Sequence, residues 1–178
     1  MSPEVDSPNV ELIAGAALRR RLDSDPPLLT GLVDPETQIQ MNGVDLTLAE
    51  VSLFGTGPGR VDFDNSNRRI PSPEPLAPDP EGVHRLAAGP YWVRYNEVVN
   101  IPPDVFAIGR TRSSLLRSGA QIGTALWDSG YRGRSGSLLT VHHPDGLELL
   151  RDARILQLVF FQLAAPAERT YAGQYQDE

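Results

Sequence analysis

The sequence predicts a single, mainly β domain with a short N-terminal helix, and composition and length carry most of that expectation. Its 178 residues include 16 prolines and 16 glycines, which keep the Val, Ile and Leu runs short and favour strands and turns over helices. That length suits one domain, residues 1–178, able to bury a core without disulfides. Cysteine is absent, which excludes a disulfide framework, a thiolate nucleophile and a cysteine-bound zinc with its deaminase chemistry. All 16 basic residues are arginine, so a P-loop ending in Gly-Lys-Ser/Thr is excluded as well. There is neither an internal repeat nor a coiled-coil heptad.

Residues 1–9 are polar and proline-containing and read as a loose tail. From Val10 to Leu22, Leu12, Ile13, Ala16 and Ala17 recur at helical spacing, and Arg19, Arg20 and Arg21 load the last turn, where cations suit the dipole. Asp25, Pro26 and Pro27 stop this helix, and Leu28 to Val33 reads as a first short strand. Gln38 to Leu48 alternates polar and apolar residues around Gly43, as a half-buried strand with a kink does. Residues 54–89 hold GTGPG and PSPEPLAPDPEG, and such proline density blocks both helix and central strand. The expectation there is a proline-rich surface excursion and not a second domain.

Order returns at Tyr91, where YWVRYNEVVNIPPDVFAIG reads as two strands around the Pro102-Pro103 turn. Arg112 to Gly119 runs from a strand end into a helical turn. Gln121 to Trp127 and Ser137 to Val141 are strands either side of DSGYRGRSG, in which three glycines permit close backbone approach. Leu147 to Leu150 and Arg154 to Phe161 are the last strands, followed by a polar tail over residues 168–178.

No apolar run approaches the roughly 18 to 20 residues of a membrane span, and the N-terminus is acidic where a signal peptide is basic. The expectation is a soluble cytoplasmic protein with no membrane partner. Its net charge of -7 and pI near 4.9 disfavour nucleic acid as a partner, and direct the arginines toward specific anions or ion pairs. Arginine without lysine on an acidic chain fits either a high-salt cytoplasm or a GC-rich genome.

The chemistry concentrates between Asp104 and Phe161. Arg112, Ser113, Ser114 and Arg117 place two forked cations and two hydroxyls within six residues, an inventory for gripping a polyphosphate. The bland alternative pairs both arginines with surface carboxylates. Asp128, between Trp127 and Ser129, is an acceptor-only group near that anion site, suited to activating water or else to capping its own turn. His142 and His143 are adjacent on a strand, face opposite sides and cannot close on one metal ion.

These segments carry a resemblance. RSSLLRSG, DSGYRG, ARILQLVF and, after Gln38 and Gln40, NGVDLTL resemble in order four motifs of the dUTPase and dCTP deaminase superfamily, most closely its archaeal dUTPases. The resemblance implies a distorted β-barrel of the dUTPase-like, β-clip type, assembled as a homotrimer with active sites between subunits. It implies hydrolysis of dUTP to dUMP and pyrophosphate, with Asp128 activating the water that attacks the α-phosphorus. Arg112, Ser113, Ser114 and Arg117 match the triphosphate clamp, Tyr131 the aromatic against deoxyribose, and Gln157 a phosphate contact. Tyr171, Tyr175 and Gln176 match residues of a closing lid, with an unstructured tail as the alternative. The implied cofactor is Mg²⁺, held by phosphate oxygens and water with no metal ligand assigned to the chain. Asp45, in the first motif, either touches metal-bound water at the rim of the site or is a structural carboxylate.

The chain also departs from its deaminase relatives. They carry a proton-shuttling glutamate on the strand after the third motif, where alignment places Thr140, and Ser137 to Val141 contains no acid. Leu126 and Trp127 stand where they carry a His-Arg pair, and the glycine-rich fifth motif of the common trimeric dUTPases is missing. The first two departures favour hydrolysis, whereas the ending YAGQYQDE resembles archaeal dUTPases and the deaminase branch alike. A dCTP deaminase or bifunctional enzyme is the first alternative, and a non-catalytic nucleotide-binding regulator the second.

Overall fold

The computed structural model describes residues 10–178, so the tail expected at 1–9 lies outside the described residues. The chain is mainly β: one nine-stranded, curled sheet runs in the order Glu11–Ile13 (β1), Arg154–Gln162 (β14), Gly43–Phe54 (β4), Gly89–Tyr95 (β7), Gly136–Val141 (β12) and Ala120–Gly123 (β10), with Ile39–Gln40 (β3) and Pro73–Pro75 (β5) added to β4 and Val105–Thr111 (β9) added to β14. Its central members are β4 (Gly43–Phe54), β7 (Gly89–Tyr95), β9 (Val105–Thr111), β12 (Gly136–Val141) and β14 (Arg154–Gln162). All these pairings are antiparallel.

The N-terminal segment differs from the helix read over Val10 to Leu22. Glu11–Ile13 is a strand, β1, and only Gly15–Leu22 is helical, forming α1 with Leu18 as its buried residue. The cause lies in β14, which pairs with β4 only from Arg154 to Leu158 and leaves its far end open on that edge. Leu12 and Ile13 close it opposite Phe161 and Phe160, and buried backbone groups that need partners override a local helical pattern.

Downstream, β2 is Leu29–Thr30, shorter than the strand read there, and it joins β8 (Val98–Asn100) and β11 (Arg132–Gly133) in a small sheet. Gln38 closes a short helix, α2 (Pro35–Gln38), capped by the Asp34 carboxylate, which accepts from the Glu36 N–H at 3.2 Å. Asp-Pro at a helix start is a recognisable cap signal that the strand reading passed over. Ile39–Gln40 is β3, which turns at Met41 and Asn42 into β4. From Gly43 to Leu48 every β4 residue is buried, because the curled sheet covers both of its faces.

Within residues 54–89, Pro73–Pro75 forms β5 along the end of β4, a position where a strand tolerates missing N–H donors. Val83–Leu86 forms β6, paired with β13 (Leu147–Leu150). Val61 and Phe63 are almost wholly exposed on the hairpin bridged at Arg60 and Arg69. The core lies between the layers and includes fully buried Val44, Leu46, Val93, Tyr95, Val105, Leu139, Ile155, Leu158 and Phe160. Among the described residues no helix is long and apolar enough to cross a membrane.

Gly43 opens β4 where a Cβ would run into the backbone carbonyl of Leu158, an atom held in the ladder and unable to retreat. Gly43→Ala should therefore destabilise by about 1 to 3 kcal/mol, the usual cost of overpacking. Gly123→Ala, in β10 (Ala120–Gly123), meets nothing within 4 Å and should be close to neutral in the same denaturant titrations.

Candidate functional site

Register places the first group of residues. Across three neighbouring strands, Asp45 on β4 lies opposite Gln157 on β14, and Gln157 lies opposite Arg110 on β9. Arg112 follows the end of β9 and begins α3 (Ser113–Arg117). Its Nε lies 3.0 Å from Asp45 Oδ2, and its Nη1 donates to the Arg154 carbonyl at 3.1 Å. Arg154 approaches the same Asp45 oxygen from β14 at 3.2 Å and donates to the Thr37 carbonyl at 2.9 Å.

Asp45 is only 2 % exposed and carries two guanidinium groups on one oxygen. Burial pushes its carboxyl above the usual range, and Arg112 and Arg154 only partly pull it back. The cluster holds two positive charges against one negative, so it suits a further anion. Beside it Ser113, Ser114 and Arg117 face solvent, while Leu115 turns into the core and anchors α3.

The second group surrounds the DSGYRG turn. Trp127 bridges to Ala107 on β9, donating to its carbonyl at 3.1 Å and accepting at 3.0 Å. Ser129 Oγ donates to the Val105 carbonyl at 2.6 Å, and the Gly130 N–H to the Ile101 carbonyl at 2.9 Å. The Trp127 indole N–H donates to Ser135 Oγ at 2.7 Å, which in turn donates to the Tyr131 hydroxyl at 3.2 Å. Tyr131 is 8 % exposed, and burial raises its phenol above the usual value. Asp128 by contrast is exposed, on a shallow pocket of about 280 Å³ shared with Ala167, Arg169, Thr170 and Tyr171.

The C-terminal tail lies over this turn. The Tyr171 N–H donates to the Ser129 carbonyl at 2.7 Å, and its ring meets Tyr131 edge-on at 5.4 Å. Gln176 Nε2 donates to the Gly130 carbonyl at 3.1 Å, and the Asp177 N–H to the Arg132 carbonyl at 2.8 Å. Tyr175 is 38 % exposed. Gly130 has φ +87°, and a Cβ there would strike Thr170, so both the turn and the tail above it need glycine.

Of the residues singled out by sequence, Arg112 and Gln157 thus gather around Asp45, next to Ser113, Ser114 and Arg117. Asp128, Tyr131, Tyr171 and Gln176 gather around the turn. The two groups sit at opposite ends of β9: from Ala107 to Arg112 an extended strand spans about 16 Å. Arg154 was not singled out, although it opens the same motif as Gln157. It comes within reach of Asp45 through a register shift between Arg154 and Leu156, which no sequence pattern announces. His142 and His143 are exposed beyond β12, and both of their N–H groups donate to the Gly119 carbonyl, at 2.8 and 3.1 Å.

A family model for dCTP deaminase-like proteins matches residues 13–163. The chain is 48% identical over 167 residues to a Methanosarcina mazei protein named "Probable deoxyuridine 5'-triphosphate nucleotidohydrolase", spanning 94% of this chain and 97% of that one. A protein of the same name from Archaeoglobus fulgidus is 44% identical over 94% of this chain and 96% of its own. Among solved structures, a 2'-deoxycytidine 5'-triphosphate deaminase from Agrobacterium tumefaciens matches with a TM-score of 0.63 and 19% identity. The match covers 86% of this chain and 48% of that one, and it shows a shared fold.

The upward shift at Asp45 has a stability consequence with a definite sign. A carboxyl whose folded pKa exceeds its unfolded value contributes stability below the unfolded pKa and loses it as pH rises through the folded one. Relative to Asp45→Asn, the parent should therefore lose stability as pH rises above the ordinary carboxylate range near pH 4, read as the slope with pH of the difference in unfolding free energy. A difference of opposite slope would mean that the two arginines outweigh burial, and a flat one that they cancel it.

Proposed function

The chain belongs to the dCTP deaminase-like family, and from that premise we propose that it is a dUTP diphosphatase releasing dUMP and pyrophosphate. The observation that carries the reading is the contrast between an exposed carboxylate at Asp128 and a strand after it, β12, whose six residues include no acid. Ring deamination needs a second proton shuttle beside the base. Thr140 pairs with Gln121 and Pro90 on that strand and offers only a hydroxyl, whose pKa lies far above neutral. Hydrolysis at phosphorus needs positioned charge and one acceptor for the water proton, which this chain does carry.

Arg112, Ser113, Ser114 and Arg117 bind the triphosphate, with Gln157 on one of its oxygens. Asp128 orients the water and accepts its proton, and Tyr131 lies against the sugar, leaving no room for a 2′-hydroxyl. Tyr171, Tyr175 and Gln176 belong to a lid over residues 168–178, on a single domain whose 54–89 stretch is a surface excursion. Mg²⁺ suits the site as a phosphate-bound, water-rich ion, because the Asp45 oxygen nearest the clamp is already occupied by two guanidinium groups. When bound, the ion neutralises charge on the phosphate oxygens.

The separation along β9 supports assembly. Within one chain the clamp and the Asp128 turn lie at opposite ends of β9, so a site shared between copies, as in a homotrimer, would bring a clamp and an Asp128 together on one substrate. Such an enzyme works on free nucleotide in the cytoplasm.

Arg117→Ala should lower kcat/KM for dUTP by about 100-fold while leaving the fold intact, because a charge-assisted contact is lost where the transition state builds charge. Asp128→Asn should still bind dUTP yet lose most pyrophosphate release, and dCTP should give the parent no uracil product. Mixing the two inactive variants tests the shared site. If Asp128 and Arg117 serve one substrate from different copies, random reassembly should restore about a quarter of the parent sites. Fully inactive mixtures would place both residues in one chain's site.

A further inference from the structure

Glu97, between β7 and β8, is 0 % exposed, and among the described residues no arginine pairs with it. Its partners are all donors. Gln38 Nε2 donates to Glu97 Oε1 at 2.7 Å, Thr47 Oγ1 donates to the same oxygen at 2.6 Å, and the Thr47 N–H donates to Oε2 at 2.9 Å. Gln38 Nε2 also donates to the carbonyl of Asp45 at 2.8 Å, while its Oε1 accepts from the Asp34 N–H at 2.9 Å. Both ends of the Asp45–Thr47 segment therefore report to one carboxylate.

The need for that carboxylate comes from the sheet. The ladder between β4 and β7 stops at Leu48 opposite Tyr95, so the Thr47 N–H on that edge has no strand partner and would be left buried. On the other edge β14 shifts register between Arg154 and Leu156. Asp45 itself is held opposite Gln157, but the segment that follows it, Leu46 and Thr47, runs into the break in both ladders, while the Asp45 side chain must meet two guanidinium groups at 3.0 and 3.2 Å. A buried network with every member satisfied can hold such a segment in one conformation.

We propose that Glu97 is a positioning residue of the site: it fixes the backbone that carries Asp45, and Asp45 in turn aims Arg112 at the substrate's phosphates. The inference rests on the reading of Arg112 as part of the triphosphate clamp. Loss of the Glu97 charge loosens the Asp45–Thr47 segment, releases the Arg112 guanidinium from its fixed direction and weakens substrate capture more than turnover.

The test uses the full-length protein, with Glu97→Gln, the milder Thr47→Val, Asp45→Asn and the double variants, assayed with dUTP and Mg²⁺ well below each Tm. Glu97→Gln should raise KM about 10-fold with kcat little changed, and Asp45→Asn should be made no worse by adding Glu97→Gln, since both act on one path. A drop in Tm with unchanged KM, or penalties that add in the double variant, would overturn the proposal and leave Glu97 a structural residue. Should Glu97→Gln fail to fold, the same two outcomes are read from Thr47→Val. The Arg112 Nε–H resonance gives a readout independent of turnover: it should shift and exchange faster in Glu97→Gln. Parent protein inert toward dUTP but with that resonance responding would refute the substrate, not the linkage from Glu97 to Arg112; an unmoved resonance would refute the linkage itself.

Discussion

Both edges of β14 are paired, and most of the molecule is arranged to make that possible. One edge takes β9 along its length from Leu156 to Gln162. The other takes β4 as far as Leu158 and then β1, which draws the N-terminal segment into the sheet. Because every backbone donor along such a strand needs a partner, the three central strands cannot slide independently. Asp45, Gln157 and Arg110 are consequently held in one row, and Arg112 emerges where that row meets solvent.

Charge is placed on that frame at a cost. Asp45 would be easier to bury as a neutral residue, since burial raises its carboxyl despite two arginines in contact. A buried carboxylate retained in this way is poor evidence for stability and better evidence for a directional role. Arg112 and Arg154 are fixed by Asp45 and by backbone carbonyls, so both guanidinium groups are oriented within the chain itself. The same logic explains how an acidic chain handles an anionic substrate. Its arginines are not spread as a general positive field; Arg112 and Arg154 share the Asp45 carboxylate, and each also donates to a backbone carbonyl.

At the far end of β9 the turn around Asp128 is built differently, from backbone contacts to Ile101, Val105 and Ala107. The tail then covers Tyr131 and leaves Asp128 open at a shallow pocket. Tail and turn are joined through main-chain hydrogen bonds and the Gln176 amide, contacts that can open piecemeal. Arg68 of the surface hairpin also donates to Gln174, tying the 54–89 excursion to the tail it approaches.

Local order in the chain was legible from residue types alone: short apolar runs between glycines and prolines announce strands, RSSLLRSG a helical turn and DSGYRG a polar turn. Those signals depend only on neighbours in sequence, through backbone propensity and side-chain alternation. Pairing decided the rest. Glu11–Ile13 is a strand because β14 has an open edge, a demand raised some 150 residues away in the chain. Arg154 joins Asp45 because the β14 ladder shifts register beside it, and Glu97 reaches Gln38 and Thr47 across 59 and 50 positions. Glu97 falls inside the stretch read as one strand before the Pro102-Pro103 turn, and nothing in that pattern marks it. Only the closure of the sheet around it, which removes water and leaves the Thr47 N–H without a strand partner, makes that carboxylate the buried acceptor shared by Gln38 and Thr47.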